Sequence, residues 1–139
     1  MGQSNSRKKI LIVDDSKTIH NMLSSVLINN GYAVVPAMNG EECIALAKEI
    51  SPDLILLDRQ MPVMDGNETL KTLKADNALA KIPVIMLTAD KELKDMSQSL
   101  ELGAQDYVVK PFIPYDLIMR INKLLDTGKR FWQKTAEKE

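Results

Sequence analysis

The chain has 139 residues, 45% of them hydrophobic, and a net charge of −1 from 18 basic and 19 acidic side chains. That length suits one domain with a real core, and the near-balanced charge gives no footprint for nucleic acid or an anionic membrane surface. A single cysteine, Cys43, closes no internal disulfide, no stretch approaches the roughly 20 apolar residues that span a bilayer, and no signal-peptide core follows the start, so a soluble cytoplasmic domain is expected.

Residues 1–7 read as a polar N-terminal arm. Met1 to Ser6 also fits the N-myristoylation template, with Arg7, Lys8 and Lys9 as a second signal, but short templates match by chance and the arm is the preferred reading. Lys9 to Val13 is a short, β-branched strand that runs into Asp14 and Asp15. Ile19, Met22, Leu23, Val26 and Leu27 recur at helical spacing, and Asn30-Gly31 stops that helix. Tyr32 to Ala37 is a second strand. Asn39 with Glu42 has capping-box spacing and opens a helix to about Ile50. Leu54 to Leu57 is a continuous apolar run, the mark of a strand buried on both faces, and it ends on Asp58. Asp65 with Glu68 repeats the capping spacing for a helix to about Asp76. Ile82 to Leu87 is a fourth strand, with Pro83 tolerated only near its beginning. Leu93, Met96 and Leu100 mark a helix closed by Gly103, and Tyr107 to Val109 is a fifth strand. Leu117, Ile118, Ile121, Leu124 and Leu125 stripe a last helix that Gly128 ends. Residues 8–128 therefore form one α/β domain, (βα)5, with a doubly wound five-stranded parallel sheet. Residues 129–139 form a charged tail apart from Phe131 and Trp132.

In such a sheet ligands bind outside the carboxyl ends of the strands. The first strand delivers Asp14 and Asp15 there, the third Asp58, the fourth Thr88 and the fifth Lys110. Carboxylates brought together repel unless a cation joins them. An all-oxygen site with room for water suits Mg²⁺. Lys110 adds a positive charge and Thr88 a hydroxyl donor, which makes the set a receptor for a small, highly charged anion beside a carboxylate. Phosphoryl transfer asks for that positioning and charge neutralisation, and the carboxylate can itself be the nucleophile.

The stretches ILIVDDS (10–16), LILLDRQMPVMDG (54–66), PVIMLTA (83–89) and GAQDYVVKPF (103–112), in that order, make the chain resemble the response regulator receiver domain of two-component systems. In size it is similar to the single-domain chemotaxis-type regulators. The resemblance implies the flavodoxin-like receiver fold with strand order 2-1-3-4-5. It implies Asp58 as phosphoryl acceptor, Asp15 as a direct Mg²⁺ ligand, Asp14 as a ligand mainly through water, and the Gln60 backbone carbonyl as a further ligand. Thr88 and Lys110 would bind phosphoryl oxygens, Lys110-Pro111 would be a cis peptide, and Tyr107 would sit at the switch-aromatic position. Met61-Pro62 and Asp65-Gly66 would shape the loop after the acceptor. Gln60 and Asp90 would flank the hydrolytic water and set the phosphoryl lifetime, and Arg59 would either reach over the site or point to solvent. The implied phosphodonor is a sensor histidine kinase or phosphotransfer protein. The implied reader is a downstream protein at the face of the fourth helix, fifth strand and fifth helix, with no direct contact to nucleic acid or membrane. The chain would be a monomer or weak dimer and no enzyme beyond its own phosphorylation and dephosphorylation.

Plainer roles compete at several positions. Asp14 and Asp15 could be helix caps, as Asp65 is expected to be, Thr88 could cap the next helix, and Tyr107 could be an ordinary half-buried ring. His20, beside the apolar stripe of the first helix, is read as solvent-facing and not as a metal ligand. A flavodoxin-like small-molecule carrier would need a Ser/Thr/Gly-rich phosphate loop after the first strand, where Asp14-Asp15-Ser16-Lys17 stands instead. A phosphorylation-independent docking module would not need all five polar groups. A receiver excised from a larger regulator or hybrid kinase remains the alternative to a stand-alone protein.

Overall fold

The computed structural model describes residues 7–61, 64–89 and 93–125. Five strands and five helices alternate: β1 (Lys9–Val13), α1 (Lys17–Asn29), β2 (Ala33–Ala37), α2 (Gly40–Ile50), β3 (Leu54–Asp58), α3 (Gly66–Ala75), β4 (Val84–Thr88), α4 (Leu93–Glu101), β5 (Asp106–Val109) and α5 (Pro114–Leu124). All strand pairs are parallel and the sheet order is β2-β1-β3-β4-β5, so the expected doubly wound fold is the observed one.

The apolar runs of β1, β3 and β4 exist because both faces of the sheet are covered. Leu11, Val13, Ile55, Leu57, Val84 and Met86 point one way and pack with Cys43, Ala47, Leu70 and Leu73 of α2 and α3. Ile10, Ile12, Leu54, Leu56, Ile85 and Leu87 point the other way, against Leu23 and Leu27 of α1 and Leu117, Ile118 and Ile121 of α5. Each strand thus splits its side chains between two cores by simple alternation. Burial pushes the Cys43 thiol up to about 12, so it packs as a small apolar group.

Helix ends follow the sequence closely. Asp65 and Glu68 form a full capping box on α3. Asn39 accepts from the Glu42 N–H, but the Glu42 side chain accepts from the Met38 N–H rather than closing the box on Asn39. Gly31, at φ +92, turns the chain out of α1.

Several boundaries differ from expectation for identifiable reasons. Tyr32 precedes β2, because its N–H bonds back to the Leu27 carbonyl at the end of α1. Strand β4 starts at Val84, since Pro83 has no N–H and contributes only its carbonyl, to the Ile55 N–H. At their other ends β3 and β4 run one residue further and include Asp58 and Thr88. In α4, Leu100 is exposed and Ser99 is buried, with its hydroxyl donating to Asn67 of α3. Gly128 and the Phe131-Trp132 tail lie outside the described residues, as do Met1 to Ser6, Pro62 and Asp90.

Candidate functional site

The carboxyl edge of β1, β3, β4 and β5 gathers the expected polar groups. Asp14, just past β1, is almost fully buried, with its backbone N–H on the Ala37 carbonyl at 3.1 Å. Its Oδ1 accepts from the Ser16 N–H at 2.9 Å and its Oδ2 from Lys110 Nζ at 2.9 Å. Ser16, not either acid, caps α1, so the capping alternative for the acidic pair is set aside. Asp58, the last residue of β3, is only 4% exposed. Its Oδ1 accepts from the Gln60 N–H at 3.1 Å and stands 3.6 Å from Lys110 Nζ. Asp15 is exposed beside them, and one carboxylate oxygen from each of Asp14, Asp15 and Asp58 lies within 4.8 Å of the others.

Thr88 is fully buried at the end of β4, and its carbonyl accepts from the Lys110 N–H at 2.7 Å, which ties the β5 end to the site. Lys110-Pro111 is a cis peptide. Tyr107 is buried, on the sheet face that meets α2 and α3, opposite Met86 in the β4–β5 register. Arg59 turns away to pair with Asp95 of α4 at 3.3 Å. An apolar cleft of about 430 Å³ opens beside Lys110, walled by Ile19, Met22, Ala89, Pro111 and Phe112.

The electrostatics are those of crowded carboxylates. Burial, then the neighbouring Asp14, pushes the Asp58 carboxyl up from 3.8 to about 6, while the Gln60 N–H and Lys110 pull the other way and Asp15 adds to the rise. Among the described residues, Lys110 is the cation paired with the cluster, with Asp14 at 2.9 Å and Asp58 at 3.6 Å. The donors are hard oxygens, and the exposed Asp15 leaves a side open to water. That set fits a divalent cation of the Mg²⁺ type.

Sequence reasoning misplaced two side chains of α1. His20 is buried, not solvent-facing, and its Nε2 donates to the Asp14 carbonyl at 2.7 Å and the Ala37 carbonyl at 3.1 Å. The signal was present: His20, Leu23 and Leu27 are spaced i, i+3, i+7 and form the buried stripe of α1. Met22, assigned to that stripe, is exposed instead.

The response regulator receiver domain family model matches residues 10–122. The chain belongs to this family. A probable transcriptional regulator, ycf27, of Porphyra purpurea is 42% identical over 121 residues, 87% of this chain and 49% of that protein. The alkaline phosphatase synthesis transcriptional regulatory protein PhoP of Bacillus subtilis is 42% identical over 118 residues, 85% of this chain and 48% of that one. This receiver domain therefore spans about half the length of the curated relatives it matches. Among solved structures, the chemotaxis protein CheY4 of Vibrio cholerae aligns at 34% identity with a TM-score of 0.82, covering 86% of this chain and all of that one. The receiver domain of a signal transduction histidine kinase from Syntrophus aciditrophicus aligns at 38% identity with a TM-score of 0.80, covering 88% and 93%.

Proposed function

We propose that the chain is a phosphoryl-accepting signalling switch in which Asp58 takes a phosphoryl group from a histidine kinase or phosphotransfer protein. The observation that carries this reading is the single cluster of Asp14, Asp15, Asp58 and Lys110 at the carboxyl edge of a rigid parallel sheet. Asp58 supplies the nucleophilic oxygen. A P–O bond to its carboxylate forms as the donor's P–N bond breaks, and the donor imidazole leaves. The strand holds that carboxylate still, and the Gln60 N–H and Lys110 Nζ orient it. Lys110, already beside Asp58, neutralises charge gathering on the phosphoryl oxygens, and the Thr88 hydroxyl donates to one of them. Asp14, Asp15, Asp58 and the Gln60 carbonyl would hold Mg²⁺, which supplies further neutralisation of the transferring group. The carbon-walled cleft beside Lys110 gives the donor's apolar surface a place to dock. Gln60 and, outside the described residues, Asp90 set the phosphoryl lifetime.

The message then leaves through Thr88, Tyr107 and the α4–β5–α5 face, where a protein reader docks. The reader is either a separate partner or an output domain joined to the receiver, as the names of the half-matching transcriptional regulators suggest. A melting series with Mg²⁺, beryllofluoride and both together tests the site. Both together should raise the melting temperature beyond the sum of the separate effects, and Asp58→Asn should erase that surplus. A surplus that survives the substitution would place the anion elsewhere.

A further inference from the structure

Pairing between β1 and β2 ends at Val13 opposite Ala37. Asp14 lies one residue beyond, buried, and its carbonyl belongs to the peptide that joins Asp14 to Asp15. The donor to that carbonyl is His20 Nε2 at 2.7 Å, from the first turn of α1. The same Nε2 also meets the Ala37 carbonyl at 3.1 Å, and that oxygen already receives the Asp14 N–H. One imidazole therefore clamps the ends of β1 and β2 on either side of the Asp14 backbone. The clamp has a cost, because the ring's Nδ1 is buried without a hydrogen-bond partner. An apolar side chain in the His20–Leu23–Leu27 stripe would fill the space without stranding a ring nitrogen. The imidazole is thus explained by what Nε2 holds, not by packing.

We infer that His20 is a positioning residue for the cation site. By fixing the Asp14–Asp15 peptide it holds the two carboxylates at the separation and tilt at which they share a divalent cation with Asp58. Outer groups that orient ligands change metal affinity by roughly 10–100-fold when removed. This inference rests on the reading above that the aspartate cluster takes Mg²⁺.

The test is an Mg²⁺ titration of the folded protein followed through the Asp15 and Ser16 amide resonances. His20→Leu removes the donor and should weaken Mg²⁺ about tenfold. His20→Gln places an amide N–H where Nε2 stood and should return affinity to near the wild-type value. Should His20→Leu fail to fold, His20→Asn takes its place with the same expected loss, since its amide nitrogen stops short of the Nε2 position. A purely structural histidine would lower the melting temperature in EDTA and leave the affinity of the folded protein unchanged. That result overturns the inference, and so does a His20→Gln protein as weak as His20→Leu. The underlying metal reading fails separately: there, wild type and Asp15→Asn would titrate alike.

Discussion

Asp58 is a charge at the end of a dry strand, and its surroundings give that charge a measurable cost. In the metal-free protein its carboxyl titrates near 6, against 3.8 for an ordinary aspartate. Below 3.8 both folded and unfolded chains carry the proton and no cost appears. Between 3.8 and 6 the unfolded chain ionises first, so stability falls as pH rises, and above 6 the cost is fully present. In EDTA at pH 7, Asp58→Asn should therefore be more stable than wild type by about 1–2 kcal/mol. That advantage should vanish as the pH approaches 4, as read from denaturant midpoints. An advantage independent of pH would mean that Asp58 is not the strained group. The placement of Asp14, Asp15, Asp58, Thr88 and Lys110 along one edge could be read from sequence because each sits at, or within two residues of, the carboxyl end of a strand that an apolar run marks. The spacing of His20 with Leu23 and Leu27 marked its side of α1, but what holds the ring there, the carbonyls of Asp14 and Ala37 beyond β1 and in β2, is not written in that spacing.

Two elements meet backbone to backbone where α3 begins. A Cβ on Gly66 would lie 2.5 Å from the Asp58 carbonyl oxygen and 2.5 Å from Arg59 Cα, backbone atoms that cannot step aside. Gly66→Ala should cost about 1–3 kcal/mol and slow phosphorylation of Asp58, because relief requires shifting the acceptor strand or α3. Wild-type stability and rate in that variant would show that the two elements slide freely. The turn into β4 is held by Lys74, whose Nζ donates to the Ala80 and Ile82 carbonyls at 3.0 Å each. Lys74→Met keeps the carbon stem, removes the donors and should cost about 1–2 kcal/mol by denaturant titration; a neutral change would mean that water replaces the ammonium. Strands covered on both faces, β1, β3 and β4, were the most legible elements. The edge strand β2, with Pro36 and half-buried neighbours, was legible only through its flanking turns. The burial of Ser99 in place of Leu100 depends on Asn67 from α3, which local periodicity does not carry.

At the scale of the molecule, the reading needs a route from Asp58 to the α4–β5–α5 face. Tyr107 already lies buried, so phosphorylation would act by shifting populations that include this state. Arg120 stitches that face together, bonding both oxygens of Asp106 at the start of β5 and Asp116 on α5. Moving a population from about 1:99 to 99:1 takes roughly 5.5 kcal/mol. New charge-assisted bonds of about 1.5–3 kcal/mol each from Thr88, Lys110 and Mg²⁺ can meet that demand. Thr88→Ala should still accept phosphate yet couple it weakly to partner binding, and Tyr107→Ala should bind the partner with blunted phosphate dependence. Partner affinity with and without beryllofluoride decides this, and a full wild-type ratio in both variants would send the signal by another route. The central claim is tested most directly by intact mass after incubation with acetyl phosphate and Mg²⁺. The account predicts one acid-stable, base-labile phosphoryl group per chain, absent without Mg²⁺ and absent from Asp58→Asn. Phosphoryl label retained by Asp58→Asn would contradict it.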